Sequence, residues 1–520
     1  MHEVPSSHHA VRRSRRQALV ALFGYAVVLL IGAHSLTVFD DEASIIALAH
    51  VDATDTFGRF FFGSGQHEHP PLYDLFLHAW MLVSGSNPVM LRLPSILFYC
   101  TGLWLVGATA EILWGRRLLA VLVGVAWPTG FFFGPPAMWT GLMALGVAGV
   151  TWSYFAWRRS LQARYLVMFA LFGTMLVYTN YYGWAFLGGL GLHFLLSRPS
   201  ARALAEASAA GLVVLVAFVP VLTALVSELK GGMHLGRSLV TVLAEGVYHG
   251  YSTLVSESVA PWAWPAAFAI VGILMLFYVG ARTPRVFWLL GLLALVYLGT
   301  LSIGILNARR LIMFGPWLIL YLTGLLACTR QWRVASIALL LVFGTGWSGI
   351  LTERWYGTFR HIEPWQEVTS VALALARPGD AIVSSHPSFY FYAGRQLGWT
   401  DWRNVTTPVV EKRSGLFFSD LRTWKEAVRA SRRVLYVRTA GHPWLPNEDQ
   451  DFIDFLAKNY RLVSDHHYLE DTSSELKNRF DLHQPRWRIE LLEYAPASAA
   501  MDPDSNTPIA STSDGGRDGN

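Results

Sequence analysis

The chain has 520 residues, of which 53% are hydrophobic and 15% are charged, and its mean hydropathy is +0.35. The apolar residues form long blocks, a composition typical of a polytopic helical membrane protein. Its two cysteines exclude a disulfide framework. The net charge of +5 does not indicate nucleic-acid binding, because Lys and Arg lie scattered at the edges of apolar blocks.

The apolar blocks predict about 11 to 13 transmembrane helices, since a helix needs ~20 residues to cross the hydrocarbon core. Some of the blocks are short for a full crossing. Most of the chain up to residue 351 is therefore predicted to lie in a membrane. The blocks are 18–39, 94–114, 118–134, 138–157, 164–178, 181–196, 204–227, 262–281, 286–305, 311–328 and 334–351.

The basic N-terminus, residues 1–17, sets the orientation of these blocks. The first block is about 22 residues long, which exceeds the 7–15 residues of a signal-peptide core, so we predict a retained helix with a cytoplasmic N-terminus. With eleven spans, five basic pairs then fall on the cytoplasmic side, as expected for the cytoplasmic membrane. They are Arg116 with Arg117, Arg158 with Arg159, Arg198 with Arg202, Arg282 with Arg285, and Arg330 with Arg333.

The first outer loop is predicted to run from residue 40 to 93. Within it, residues 72–85 are too short to cross and carry Asp74 and His78, so we predict an amphipathic helix in the outer interface. An odd number of spans places everything after residue 352 outside the cytoplasm.

Residues 352–495 change composition and predict a small extracytoplasmic α/β domain. "EPWQEVTSVALALARPGD" and "EDQDFIDFLAKNY" have helical periodicity, whereas "AIVSS" and "RVLYVRT" are typical of buried strands. Residues 496–520 have the composition of a disordered tail.

Polar side chains gather on the predicted outer face. Each has a structural alternative: Asp41 could cap a helix, the His-Pro-Pro sequence could set a rigid turn, and the tyrosines could be interfacial anchors. An outside arginine pair opposes the orientation rule, and either a substrate anion or a lipid headgroup would explain it. The residues are Asp40, Asp41, Glu42, His67, His69, Tyr73, Tyr178, Tyr181, His249, Tyr251, Arg309 and Arg310.

This set of residues fits group transfer from a lipid-linked phosphate. No nucleotide pool exists outside the cytoplasm, so the activated donor must arrive with the lipid. Arg309, Arg310 or His69 could stabilise the leaving phosphate, and a carboxylate near the bilayer edge could act as base toward an acceptor hydroxyl.

Several motifs in this order resemble the GT-C membrane glycosyltransferases, in particular the protein O-mannosyltransferases and the bacterial lipid A aminoarabinose transferases. The motifs are "DE" at 41–42, "HPPLYDLFLHAW", "RLPSILF", "YTNYYGW" and "RRLIMFGPWLILYL". The resemblance covers about the first 350 residues.

The resemblance implies transfer of one sugar from a polyprenyl-phosphate donor, with inversion, to a lipid, protein or glycan acceptor. By the same resemblance Asp41 would be the catalytic base and Glu42 would hold the loop or a cation. His69 and one arginine of the pair Arg309 and Arg310 would contact the donor phosphate.

Two departures from the family pattern concern cationic and aromatic positions. "FGPPAMWTGL" has Pro135 and Met138 where relatives have arginines, and Leu311 replaces an aromatic residue. A divalent metal ion is left open, with Asp41, Glu42, His67 and His69 as candidate ligands.

Three other functions remain as alternatives, one of them a non-catalytic membrane scaffold whose outer domain binds partners. A polysaccharide polymerase or ligase would use a lipid-diphosphate donor. A transporter would place its charges near the midplane of broken helices and often shows internal repeats, whereas this sequence has few charges within its spans.

Overall fold

In the computed structural model, the described residues fall into two compact units that divide at residue 365. Each unit has its own secondary structure and is considered by itself. The described residues are 8–35, 38, 40–50, 69–226, 291, 296, 312–329, 332–352, 364–384, 386–398, 411–413, 415–419, 421, 423–429, 431–440, 450–470 and 488–497.

The first unit is helical throughout its described part. Its helices are α1 (His8–Ser35), α2 (Asp40–His50), α3 (Leu72–Ser84), α4 (Pro88–Trp114), α5 (Arg117–Ala126), α6 (Pro128–Phe133), α7 (Trp139–Ser160), α8 (Ala163–Thr179), α9 (Gly183–Leu196), α10 (Ala201–Phe218, continued by the 3-10 turn Val219–Val221), α11 (Gly315–Cys328) and α12 (Trp332–Thr352).

Three helices in the described ranges are long and apolar enough to cross a membrane, judged by length and composition. They are His9–His34, Pro88–Trp114 and Ala201–Val226. Several other apolar helices are shorter, including α3, α8 and α9. Nearly all of the predicted blocks 262–281 and 286–305 lies outside the described residues. The predicted number of crossings therefore remains a prediction.

The predicted span 118–134 is wrong as a single helix. α5 ends at Ala126, and α6 begins at Pro128. Proline lacks a backbone N–H and keeps the preceding residue out of the helical region, and Trp127 is extended with φ −72° and ψ 115°. The indole of Trp347 on α12 donates to the Ala126 carbonyl at 2.7 Å, which satisfies the end of α5.

Helix α4 starts six residues before the predicted block at 94, because Asn87 caps it. The Asn87 side chain accepts from the backbone N–H of Val89 at 3.0 Å, and a proline occupies the first helical position. Pro94, inside the helix, cannot donate to the Met90 carbonyl four residues earlier. The indole of Trp80 on α3 donates to that carbonyl at 2.7 Å instead, and so links α3 to α4.

Glycines permit the close approach of α4 and α7. A Cβ at Gly141 of α7 would lie 2.5 Å from the backbone oxygen of Ser95, and one at Gly102 of α4 would lie 3.3 Å from the backbone of Leu145. Small residues at helix interfaces allow such backbone contact. The pairing of α4 with α7 brings Arg92 and Ser95 beside the start of α7.

The second unit contains a six-stranded mixed sheet and four helices in the described residues. The strand order is β2-β3-β1-β4-β6-β5, with β1 parallel to β3 and β4 and the other pairs antiparallel. Its elements are α13 (Trp365–Leu375), β1 (Ala381–Ser384), α14 (Pro387–Leu397), β2 (Glu411–Arg413), β3 (Leu416–Ser419), α15 (Trp424–Arg429), β4 (Val434–Ala440), α16 (Gln450–Asn459), β5 (Tyr460–Glu470) and β6 (Arg488–Pro496).

The predicted helices and strands of the C-terminal region are confirmed as α13, β1, β4 and α16. The sequence analysis missed the long antiparallel strands β5 and β6. Strand β1 is fully buried, and β4 is buried from Val434 to Val437. The sheet packs on α15 and α16 through Trp424, Tyr436 and Phe452. The ring centroid of Phe452 lies 4.9 Å from that of Trp424 and 4.9 Å from that of Tyr436.

Candidate functional site

The structure describes some of the predicted site residues but not all of them. For Asp40 and Asp41 the backbone is described, whereas His67, His249, Tyr251, Arg309 and Arg310 lie outside the described residues. Their predicted roles stay predictions. The described part of the candidate site is formed by Glu42, His69, Tyr73 and their neighbours.

The two aspartates lie in the first turn of α2. The helix begins at Asp40, so Asp41 is inside the helix, and the expectation that Asp41 precedes it as a cap is wrong. Acidic residues in a first turn are favoured by the partial positive charge of the helix N-terminus. Glu42 follows Asp41 in the same first turn of α2.

Glu42 forms a buried ion pair with Arg92 of α4. Arg92 Nε donates to Glu42 Oε1 at 2.7 Å, and Arg92 Nη2 donates to Oε2 at 2.5 Å. Both side chains are 1% exposed. This two-point geometry fixes the orientation of the carboxylate as well as its position.

The same ion pair connects four parts of the helical unit. Arg92 Nη1 donates at 2.7 Å to the carbonyl of Ala33, one of the last carbonyls of α1, which have no partner within the helix. Glu42 Oε1 accepts from the backbone N–H of Ala137, before α7, at 2.7 Å. The pair therefore holds the first turn of α2 against α1, α4 and the segment before α7.

A hydrogen-bonded chain lies one turn further along α4. The hydroxyls of Tyr73 and Ser95 are 2.9 Å apart, and the Ser95 hydroxyl lies 3.2 Å from the Met138 carbonyl, to which it donates. Tyr73 is 1% exposed and Ser95 is fully buried. Tyr73, predicted as a pocket residue, thus fastens α3 to α4.

His69 lies at the start of the turn that leads into α3. Its Nδ1 is 3.3 Å from the Nδ2 atom of Asn180, which lies between α8 and α9. Its ring packs on Trp139, the first residue of α7, with 4.7 Å between ring centroids. Because Ala137 binds Glu42 and Trp139 contacts His69, residues 137–139 link the two predicted site residues.

The tyrosines of the "YTNYYG" turn face a different neighbour. Tyr178 donates from its hydroxyl to the Ala217 carbonyl of α10 at 2.6 Å. The rings of Tyr178 and Tyr181 lie 6.2 Å and 6.4 Å from that of Phe218. These contacts assign both tyrosines to the packing of α8 and α9 against α10, and Asn180 is the residue of the turn that reaches His69.

Asp74 and His78 lie one turn apart on α3. His78 Nδ1 is 2.7 Å from the Ala49 carbonyl, which ties α3 to the end of α2. The Asp74 side chain is half-buried. The surrounding protein excludes enough water to raise the pKa of its carboxyl to about 7. Asp74 therefore lies on a helix, α3, that contacts α2, the helix that carries Asp40, Asp41 and Glu42.

Metal ligation finds no support in the described residues, which contain no group of three or more His, Cys, Asp and Glu side chains. Of the candidate ligands, Glu42 is occupied by Arg92 and Ala137, and His69 lies beside Asn180. The Asp41 side chain and His67 are not described, so the metal question stays open for them.

Sequence reasoning missed Arg92 and Asn180. The signal for Arg92 was present, because an arginine inside the apolar stretch "VMLRLPSILF" needs a buried partner. Asn180 gave no comparable signal, since an asparagine between two helices is usually a turn residue.

The fold is shared with solved structures of membrane glycosyltransferases of the GT-C class. No family model and no curated protein matches the sequence. Two of the similar structures are those of ArnT, an aminoarabinose transferase, from Cupriavidus metallidurans.

The similarity extends over most of both chains. The apo structure of ArnT has a TM-score of 0.55 at 12% identity, and covers 91% of this chain and 97% of its own. The structure of ArnT bound to undecaprenyl phosphate has a TM-score of 0.53 at 11% identity, with the same coverage. At this identity the likeness establishes the fold, and the resemblance expected from the sequence is confirmed at that level.

Proposed function

We propose that this protein transfers a sugar from a polyprenyl-phosphate donor to an acceptor at the outer face of the cytoplasmic membrane. The shared fold with ArnT, including a structure with bound undecaprenyl phosphate, is the observation that carries the proposal. The Glu42–Arg92 pair supports it, because the pair holds Asp41 in a defined first turn at the junction of α1, α2, α4 and α7.

The proposal includes a membrane topology. The three long apolar helices and most of the shorter ones would span the cytoplasmic membrane, with the basic N-terminus in the cytoplasm. The sheet-containing unit would lie outside the cytoplasm, and α3 would lie in the outer interface. Exposed apolar side chains on α1, α10 and α12 fit lipid contact, among them Val20, Phe23, Ile31, Val216 and Leu340.

The proposed reaction is one displacement at the anomeric carbon. The Asp41 carboxylate takes the proton of the acceptor hydroxyl, and the oxygen forms a bond to that carbon as its bond to the donor phosphate breaks. The electron pair leaves with the phosphate as polyprenyl phosphate, and the configuration inverts. Cationic or N–H groups must stabilise this leaving group, a role we assign to His69 and to Arg309 or Arg310.

Glu42 has a positioning role in this scheme. Both its oxygens accept hydrogen bonds from Arg92, and one also accepts from Ala137, so it is committed to holding α2. The base is then Asp41, its neighbour in the chain. Pro70 and Pro71 restrict the backbone after His69 and direct the chain into α3.

The proposal is tested by the release of polyprenyl phosphate, measured by mass spectrometry. Purified protein is incubated with a panel of polyprenyl-phosphate sugars and a cell-envelope extract. Asp41→Asn removes the proposed base with almost no change in size, and we expect its release rate to fall at least ~100-fold. The matched control is Asp451→Asn, the same substitution at an exposed position of α16.

Three results are informative. Release by the wild type and by Asp451→Asn, but not by Asp41→Asn, supports both the reaction and the base. Equal release by all three proteins would exclude Asp41 as the base. If the wild type releases nothing from monophosphate donors, the proposed donor class is wrong, and lipid-diphosphate donors are the next substrates to supply.

A further inference from the structure

Asn180 is held from several sides in the turn between α8 and α9. It is 1% exposed. Its backbone N–H donates to the Leu176 carbonyl at 3.0 Å, and its carbonyl accepts from Gly183 at 2.9 Å. These bonds end α8 and begin α9, so the position of the residue does not depend on His69.

The side-chain amide of Asn180 has a fixed orientation. Its Oδ1 atom accepts from the backbone N–H of Tyr182 at 3.0 Å. A backbone N–H can only donate, so the atom facing it must be the amide oxygen. The NH₂ group is therefore the end that faces His69.

This orientation determines the protonation of the neutral His69 ring. The NH₂ group can only donate, so His69 Nδ1, at 3.3 Å, must be the acceptor and carry a lone pair. The proton of the neutral imidazole is then on Nε2. The ring contact with Trp139 restricts the same imidazole from a second side.

We infer that Asn180 is a positioning residue that holds His69 in the Nε2–H form, so that this histidine presents an N–H donor to an anionic phosphate. The inference rests on the proposed function for the identity of the anion. The setting of the ring tautomer by Asn180 can be measured without it.

The tautomer is read from ¹⁵N spectra of protein labelled at histidine and recorded at about pH 8, where an ordinary imidazole is neutral. The His69 signals are those that disappear in His69→Gln. We expect a protonated Nε2 and an unprotonated Nδ1 in the wild type. Asn180→Asp keeps an oxygen for the Tyr182 N–H but replaces the donor by an acceptor, so Nδ1 should become protonated.

The functional consequence is measured with undecaprenyl phosphate as the probe, titrated onto the purified full-length protein in detergent. Asn180→Ala and His69→Ala should each weaken binding about fivefold, the effect of one ordinary hydrogen bond. If Asn180 acts through His69, the double variant should also bind about fivefold more weakly, whereas independent residues would give about 25-fold.

The two readouts separate the two proposals. Wild-type protein that does not bind undecaprenyl phosphate would contradict the proposed function, while the spectra would still decide the role of Asn180. A protonated Nδ1 in the wild type, or unchanged His69 signals in Asn180→Asp, would overturn the inference. So would multiplicative losses in the double variant, even with normal wild-type binding.

Discussion

Two arginines, one in each unit, join a carboxylate to the end of a helix. Arg92 binds Glu42 and the Ala33 carbonyl in the last turn of α1. Arg433 binds Asp380 at 2.8 Å and the carbonyl of Leu375, the last residue of α13, at 2.5 Å. Both arginines satisfy a helix end as well as a charge.

The two arginines differ in exposure and in number of partners. Arg92 and Glu42 are each 1% exposed and pair with one another. The Arg433 side chain is 16% exposed and also pairs with Glu493, and Asp380 accepts a further hydrogen bond from the backbone of Arg377. A fully enclosed ion pair depends on both of its charges, whereas a partly solvated network of three charged groups has alternatives.

The largest effect is expected from Arg92→Met. It leaves the Glu42 charge buried without its arginine, with the Ala137 N–H as its remaining hydrogen-bond donor among the described contacts, which should cost about 3–5 kcal/mol of stability. The midpoint of thermal unfolding in detergent should fall clearly, and the proposed sugar transfer should be lost because the first turn of α2 is released.

A double variant separates stability from positioning. Replacing both Arg92 and Glu42 by apolar residues, as in Arg92→Met with Glu42→Leu, removes both charges and should recover most of the lost stability. Transfer should stay low, since the hydrogen bonds between Glu42 of α2 and Arg92 of α4 are then absent. Full recovery of transfer in the double variant would contradict the positioning role of the pair.

A smaller effect is expected in the sheet-containing unit. Arg433→Met should cost about 1–3 kcal/mol, because the side chains of Arg433 and Asp380 are 16% and 5% exposed, whereas those of Arg92 and Glu42 are each 1% exposed. Glu493→Gln should cost at most ~1 kcal/mol, because Arg433 keeps Asp380. Chemical denaturation monitored by tryptophan fluorescence measures both, and losses as large as that of Arg92→Met would remove the distinction between the two sites.

A further effect depends on pH and concerns a carboxyl that has no arginine partner among the described residues. The pKa of Asp74 is raised by burial from 3.8 to about 7, so the folded protein keeps a proton that the unfolded chain releases. Stability should therefore fall as the pH rises from about 4 to about 7, with the full loss above this range.

Asp74→Asn removes this dependence without changing the size of the side chain. The variant should be more stable than the wild type at pH 8, by on the order of 1–2 kcal/mol given the partial solvent screening, and nearly equal at pH 4. The predicted stability difference is tested by measuring the unfolding midpoints of both proteins at pH 4 and pH 8. A difference that does not change with pH would show that Asp74 is not the titrating group.

Much of the fold followed from local patterns. Apolar blocks predicted the helices, and short buried runs predicted β1 and β4, because burial on all sides requires uninterrupted apolar residues. The break at Pro128 was predictable from the chemistry of proline but was hidden by the hydrophobicity around it. Strands β5 and β6 carry charged residues such as Asp465 and Glu490, so their hydrophobicity did not mark them.

The candidate site also has a part that the sequence predicted and a part that it could not predict. The order of motifs along the chain identified Glu42, His69 and Tyr73 as residues to examine. It could not show that Glu42 meets Arg92, or that His69 meets Asn180, because these partners are 50 and 111 positions apart in the sequence. Such contacts arise only when α2, α4, α7 and α8 pack together.

By itself, then, the sequence determined the helical class, the helix and strand positions of several segments, and the resemblance to GT-C enzymes. Hydrophobicity and proline act over a few residues and can be read locally. The tertiary structure decided which polar groups become partners, since a buried charge or amide is stable only where packing supplies a complementary group. That requirement made Glu42 a support for α2 and connected Asn180 to His69.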